Sequence, residues 1–225
     1  MKIDYIKEID NSKVYDVSKK TPITFLNKIS TKYGNKVYLK REDLQSIFSF
    51  KCRGAYNKIS SLDLTQKSKG IIAASAGNHA QGVALSASKL DIDALIIMPT
   101  TTPSIKIESV KKFGVQVELF GDSFDEAYEY ALKVSDKEDR IFIHPFDDPL
   151  VIAGQGTVAK EIVEEFNGTP DIFFIPVGGG GLISGMSIYL KEHYPNSKIY
   201  GVESEDAPTL YSSMKEGAPT KLDQV

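Results

Sequence analysis

"DIFFIPVGGGGLISGMSIYL" (Asp171–Leu190) passes from an apolar run rich in branched and aromatic residues, through four consecutive glycines, into a segment of helical period. The opening run is too short for a helix and has the composition of a buried strand. Glycines let the backbone turn sharply and bring N–H groups together, and a helix start adds unsatisfied donors and a positive dipole end. The stretch therefore reads as a strand–turn–helix unit suited to a phosphate. A dinucleotide fingerprint needs glycines at i, i+2 and i+5, and counting from Gly178 or Gly179 the third place falls on Ile183 or Ser184. The triphosphate loop fails as well, because no Lys-Ser or Lys-Thr closes it. An isolated phosphomonoester remains, carried by a cofactor or a sugar.

Outward from this unit the same alternation recurs. Short apolar runs at 37–40, 71–75, 94–99, 115–120, 171–177 and 198–203 read as strands. Helical segments at 51–62, 78–90, 103–113, 123–135, 150–166, 182–192 and 207–216 lie between them. Strand and helix in alternation imply right-handed crossovers and a parallel, doubly covered sheet, hence an α/β fold. The segment "DRIFIHPFDDP" (139–149) packs two prolines, four charges and a histidine between helices, and marks a boundary or the wall of a cleft. On that reading 47–145 form a small domain, and 1–46 with 146–225 form a large one.

Composition narrows the functional classes. With 225 residues and 41% hydrophobic content, the chain can bury a sizeable core. Twenty-seven Lys and Arg against thirty Asp and Glu, without long like-charge runs, leave no electrostatic footprint for nucleic acid. No apolar run approaches a membrane span and "MKIDYIKEID" has no signal-like apolar core, so a cytoplasmic protein is expected. One cysteine and three scattered histidines offer no disulfide and no metal-ligand spacing.

Two further stretches carry chemistry. "IIAASAGNHAQGVA" (71–84) again runs from strand to helix; Ser75 and Asn78 offer hydrogen-bonding side chains, and the amides from Ala76 to His79 open toward an anion such as a carboxylate. Ser and Asn are equally ordinary helix caps. In "SIFSFKCRGAYNKI" (46–59), Lys51 is either a solvated helix-end cation or a nucleophile; the second needs a depressed pKa, for which Phe48, Phe50 and Cys52 supply apolar neighbours and Arg53 a cation.

Taken in order, "SFKCRGAYNKI", "SAGNHAQGVA" and "PVGGGGLISG" resemble the fold-type II pyridoxal-phosphate enzymes, and most closely the threonine deaminase (threonine ammonia-lyase) family. "TPITFLNKIS", "YLKREDLQ", "IIMPTTTPSIKIESVKKFGVQVELFG", "PFDDPLVIAGQGTVAKEI" and "VESEDAPTL" are similar to the same family, so the resemblance spans nearly the whole chain from Thr21. It implies two parallel-sheet α/β domains, with pyridoxal 5'-phosphate (PLP) in the cleft between them. Lys51 matches the lysine that forms the Schiff base with the cofactor and later moves protons at Cα, and Phe50 matches the aromatic residue beside the cofactor ring. Gly178, Gly179, Gly180 and Gly181, with the amide of Leu182, match the loop around the phosphate. Asn78 matches the residue that bonds the ring hydroxyl; Ser75, Ala76, Gly77, Asn78 and His79 match the loop that grips the substrate carboxylate.

The implied reaction is dehydration and deamination of L-threonine, and of L-serine, to a 2-oxoacid and ammonia, the first step of isoleucine biosynthesis, by a homodimer or homotetramer. Racemases of this fold carry a serine at the place of Ala76 to reprotonate Cα, so alanine favours elimination. Near "VESEDAPTL" some relatives build a cation site, for which Glu203 and the carbonyl of Ala207 are present, but Thr209 stands in place of an acid; no required metal is expected. Family catalytic domains continue past the point matching Val225, and "KLDQV" has no closing element, so an incomplete protein is expected. A silent phosphate-binding fragment and a serine racemase-like relative are the alternatives.

Overall fold

The structure, a computed structural model, describes residues 3–220, and the "KLDQV" ending lies outside them. In chain order the elements are α1 (Tyr5–Asp10), β1 (Ile23–Phe25), α2 (Asn27–Tyr33), β2 (Tyr38–Lys40), α3 (Lys51–Ser60), α4 (Leu64–Ser68), β3 (Ile71–Ala74), α5 (Asn78–Leu90) and β4 (Ala94–Met98). They continue with α6 (Ser104–Lys111), β5 (Gln116–Leu119), α7 (Phe124–Glu138), β6 (Ile141–Phe142), α8 (Pro149–Glu165), β7 (Ile172–Pro176), α9 (Gly181–His193), β8 (Lys198–Val202) and α10 (Thr209–Glu216). Short 3₁₀ turns lie at Val14–Asp16 and Glu42–Leu44.

Four strands form a parallel sheet in the order β5-β4-β3-β6. Every residue of β3 and β4 is buried, which is why both read as unbroken apolar runs instead of alternating ones. The pleat divides them. Ile71, Ala73, Ile96 and Met98 face one way, into a core with Ala55 and Ile59 of α3 and Ala80, Val83, Ala84 and Ala87 of α5. Ile72, Ala74, Leu95 and Ile97 face the other way, onto Ala127, Ala131 and Val134 of α7.

A second core gathers α1, α8, α9 and the parallel pair β7–β8 around Ile9, Ala159, Ile175, Met186 and Leu190. Helix α3 lies between α5 and α8 and so connects the two cores. The α3–α8 seam is close because both sides are glycine: a methyl group on Gly154 would lie 2.7 Å from Gly54 Cα. Gln155 Oε1 accepts the Gly54 N–H at 3.2 Å across it.

Three features differ from the sequence expectation. The strand expected at 37–40 lies outside the parallel array, pairing antiparallel with β1 as an isolated ribbon. Helices α1, α2 and α4 lie outside the expectation because they are short: α2 and α4 bury no apolar side chain and are set by caps, with Asp63 and Gln66 forming a capping box on α4 and Gly34, left-handed at φ 64°, ending α2, whereas α1 buries Ile9 but is only six residues long. The polar segment 139–149 contains the edge strand β6. No helix among the described residues is long and apolar enough to cross a membrane.

Candidate active site

Lys51 is the first residue of α3, and its Nζ donates to the carbonyl of Pro145 at 2.7 Å. The Phe50 ring centre lies 5.7 Å from Nζ. Burial pushes the Lys51 ammonium down from 10.5 to about 8, so a substantial neutral fraction is present near physiological pH. The cause is desolvation alone and differs from the sequence expectation, which counted Arg53, Phe48 and Cys52 among the agents.

Arg53 is 0% exposed and turned away, bonded through Nε to Glu42 at 2.8 Å and through a terminal nitrogen to Glu161 at 2.6 Å. Its charge is neutralised where it sits. Phe48 is 76% exposed on left-handed backbone at φ 56°, and the buried thiol of Cys52 faces Ser18 Oγ at 3.3 Å. The apolar surroundings come instead from Phe50 and the buried Pro145.

At the turn from β3 into α5, Ser75 Oγ accepts the Gly77 N–H at 3.2 Å, and Gly77 caps the helix with no side chain of its own. The N–H groups of Asn78, His79 and Ala80 open α5 without an acceptor among the described residues. Asn78 is exposed; His79 is buried, and its Nε2 bonds the Ile143 carbonyl at 3.0 Å. A carbonyl accepts only, so Nε2 carries the proton and Nδ1 a lone pair, which finds no partner among the described residues. Burial, then the charge of Lys51, pushes the imidazole down to about 3, which removes His79 as a proton carrier near neutrality.

The four glycines turn out to serve different needs. A methyl group on Gly179 would overlap the Phe146 ring, and one on Gly181 would lie 2.9 Å from the Phe146 carbonyl oxygen. Gly180 is left-handed at φ 89° and caps α9. Gly178 has open space on its Cα. The loop is thus wrapped on the Phe146 side chain, and the N–H groups from Gly178 to Ile183 find no acceptor among the described residues. A cleft of about 540 Å³ adjoins the loop, bounded by Phe146, Gly179, Gly180 and Ser184 on one side and by Leu210 and Met214 of α10 on the other. Lys51 does not line it.

The segment Ile143–Phe146 joins these three pieces. Ile143 receives His79, Pro145 receives Lys51, and Phe146 seats Gly179 and Gly181. Sequence reading marked this region as a wall without naming its residues. Two of the three contacts are made to main-chain carbonyls and the third by shape, so side-chain chemistry could not signal them. Glu203, considered above for a cation, accepts from the Leu210 and Tyr211 N–H groups at 2.7 and 2.8 Å and so caps α10.

Residues 14–225 match the family model of pyridoxal-phosphate dependent enzymes. The chain belongs to this family. It is 54% identical over 222 residues to threonine dehydratase 1, biosynthetic, chloroplastic, of Solanum lycopersicum, covering 99% of this chain and 37% of that protein. The solved structure of the processed form of threonine deaminase isoform 2 from the same plant superposes with a TM-score of 0.94 at 49% identity, covering 98% of this chain and 64% of that one. Maize serine racemase superposes with a TM-score of 0.91 at 33% identity, over 98% of this chain and 67% of that one. The chain spans 43% and 37% of the length of two curated relatives that it matches.

The residues fit the family's cofactor. A phosphate requires unpaired donors and room: the N–H groups of 178–183 have no acceptor among the described residues, and Gly178 and Gly180 leave open space. An aldehyde requires a neutral amine, which burial provides at Lys51.

Proposed function

We propose that the chain is the catalytic part of a PLP-dependent threonine ammonia-lyase, which converts L-threonine, and L-serine as a second substrate, to a 2-oxoacid and ammonia. The reading places it at the first step of isoleucine biosynthesis in a cytoplasmic dimer or tetramer. It rests on one observation above the rest: a partly buried lysine of lowered pKa is tied, through Pro145 and Phe146, to a glycine loop of unpaired amides. The relatives named threonine dehydratase and threonine deaminase support the choice of substrate.

In this proposal the glycine loop and Leu182 hold the cofactor phosphate, Phe50 lies beside the ring and Asn78 bonds its hydroxyl. When bound, PLP acts as an electron sink for the substrate Cα. The amides after Ser75 and Gly77 grip the substrate carboxylate. Lys51 takes the Cα proton as a neutral amine, and the Pro145 carbonyl steadies Nζ between transfers. Ala76 has no proton to return, which favours elimination over racemisation. Residues 47–145 would move as a small domain against 1–46 and 146–225, closing over the substrate.

The test is to mix the purified chain with PLP, record the visible band of the lysine-bound cofactor, then add L-threonine and assay 2-oxobutanoate. Lys51→Ala is expected to abolish both band and product. Product formation by that variant, or its absence from the parent despite a band, would refute the assignment.

A further inference from the structure

His144 has no part in the reading so far, yet it sits where the three pieces of the site meet. Its Nδ1 accepts the N–H of Phe146 at 3.3 Å and of Asp147 at 2.7 Å. Two incoming donors require a lone pair, so the ring is neutral with its proton on Nε2. Acceptance from residues two and three positions on is the pattern by which Asn and Asp side chains close a turn. Here an imidazole does the same, and the turn it closes carries the acceptor for Lys51 and the ring that seats the glycine loop.

The surroundings hold the ring in place. Tyr128 of α7 meets it edge-on at 6.0 Å, Phe142 of β6 at 6.2 Å and Phe146 at 4.7 Å. The charged and titratable groups that face it are Lys51 of α3, His79 of α5, Tyr128 of α7 and, in its own turn, Asp147 and Asp148. Asp148 is itself occupied, capping α8 and pairing with Lys58 at 2.8 Å. Burial, opposed by Asp147 and Asp148 and assisted by Lys51, keeps the His144 pKa below the ordinary imidazole value. The neutral ring that the turn requires is therefore the form present near neutrality.

We propose that His144 is a positioning residue: its neutral imidazole closes the 144–147 turn, holding the Pro145 carbonyl on Lys51 and the Phe146 ring in the glycine loop, and its protonation releases both together. The proposal deepens the cofactor reading and rests on it for its consequence at the phosphate. Protonation turns Nδ1 from acceptor into donor, so two N–H groups lose their partner and face another N–H. The sign follows from the lowered pKa: the turn is intact above the ordinary imidazole value and is lost as pH falls through the folded-state value.

Two readouts test this in the full chain, neither of them activity. The first is amide exchange at Phe146 and Asp147 in the protein alone, corrected for the intrinsic pH dependence of exchange, from about pH 8 down to the lowest pH at which the chain stays folded. Wild type is expected to lose at least about tenfold protection toward the lower end, the scale of two lost hydrogen bonds. His144→Asn, which accepts through a group that does not titrate, is expected to keep its protection throughout. The second is affinity for pyridoxine 5'-phosphate, which has no aldehyde and so bypasses the chemistry of Lys51. Its own phosphate titration cancels between variants. Wild type is expected to weaken on acidification about tenfold more than His144→Asn, and His144→Leu to bind poorly throughout the same range.

Equal pH dependence of exchange in wild type and His144→Asn overturns the proposal, as does wild-type affinity at about pH 8 in a folded His144→Leu chain. Failure of wild type to bind the probe at all overturns the cofactor reading instead, and the exchange experiment still decides the role of His144.

Discussion

At the scale of single residues, the site separates groups that resemble one another in sequence. Lys51 and Arg53 are two positions apart on α3, yet one is held by a single main-chain carbonyl and the other is locked between two carboxylates. Because burial sets the Lys51 pKa at about 8, the rate of covalent capture of PLP is expected to climb with pH and level off near that value. Stopped-flow absorbance across the range checks this; a rate still climbing about tenfold per unit well beyond the plateau would mean an ordinary lysine. Gly178 and Gly179 make a second contrast. Gly178→Ala meets open space and is expected to change stability by less than about 0.5 kcal/mol. Gly179→Ala meets the Phe146 ring, and overpacking there is expected to cost about 1–3 kcal/mol in urea denaturation. Equal values for the two would show that Phe146 does not seat the loop.

At the scale of elements, the α3–α8 seam shows how much of the molecule was legible in the sequence. The apolar runs of β3 and β4 identify a parallel sheet covered on both faces, and the period after Gly77 predicts the helix that occupies Asn78–Leu90. Lys51 was legible only through its companions, since "SFKCRGAYNKI" alone favours a solvated cation. What could not be read is contact made by backbone: the Pro145 carbonyl on Lys51, the Ile143 carbonyl on His79, the antiparallel partner of β2. Nor could the ion network that ties α3 to α8 be read, because its partners are scattered along the chain. Arg53 meets Glu42 and Glu161, Lys40 meets Glu161 at 2.8 Å, and the Thr21 N–H donates to Glu161 at 3.2 Å. Burial alone would raise the Glu161 carboxyl, but Arg53 and Lys40 outweigh it and hold it below the usual range. Its contribution to stability is therefore complete above the unfolded-state value and lost as pH falls through the folded one. Arg53→Met, which leaves Glu161 buried with one cation fewer, is expected to cost about 3–5 kcal/mol near neutrality. Arg53→Met combined with Glu161→Gln is expected to recover part of that loss and to lose less stability on acidification than the parent. Urea titrations at several pH values check both, and an acid response unchanged in the double variant would remove Glu161 from the account.

At the scale of the whole molecule, the two cores meet along α3 and along the segment 143–146, and the groups assigned to the cofactor come from both sides of that meeting. Lys51, Asn78 and His79 extend from helices packed on the β3–β4 sheet, whereas the glycine loop opens α9 in the second core. A ligand gripped at both ends stabilises whatever holds the ends together, whereas one gripped at a single end protects only that core. PLP at a hundredfold excess over its dissociation constant is expected to add about 2.7 kcal/mol. For a chain of this size that corresponds to a rise of about 5 to 10 °C in the unfolding midpoint. Hydrogen exchange is expected to slow in β3 and β4 and in α9 alike. Lys51→Ala should keep the protection at α9, where the phosphate is proposed to bind, and lose much of it at β3 and β4, because the covalent end is gone. Protection confined to α9 in the parent would mean that Lys51 and the glycine loop do not hold one molecule between them. Loss of protection at α9 in Lys51→Ala would mean that the phosphate cradle cannot bind on its own.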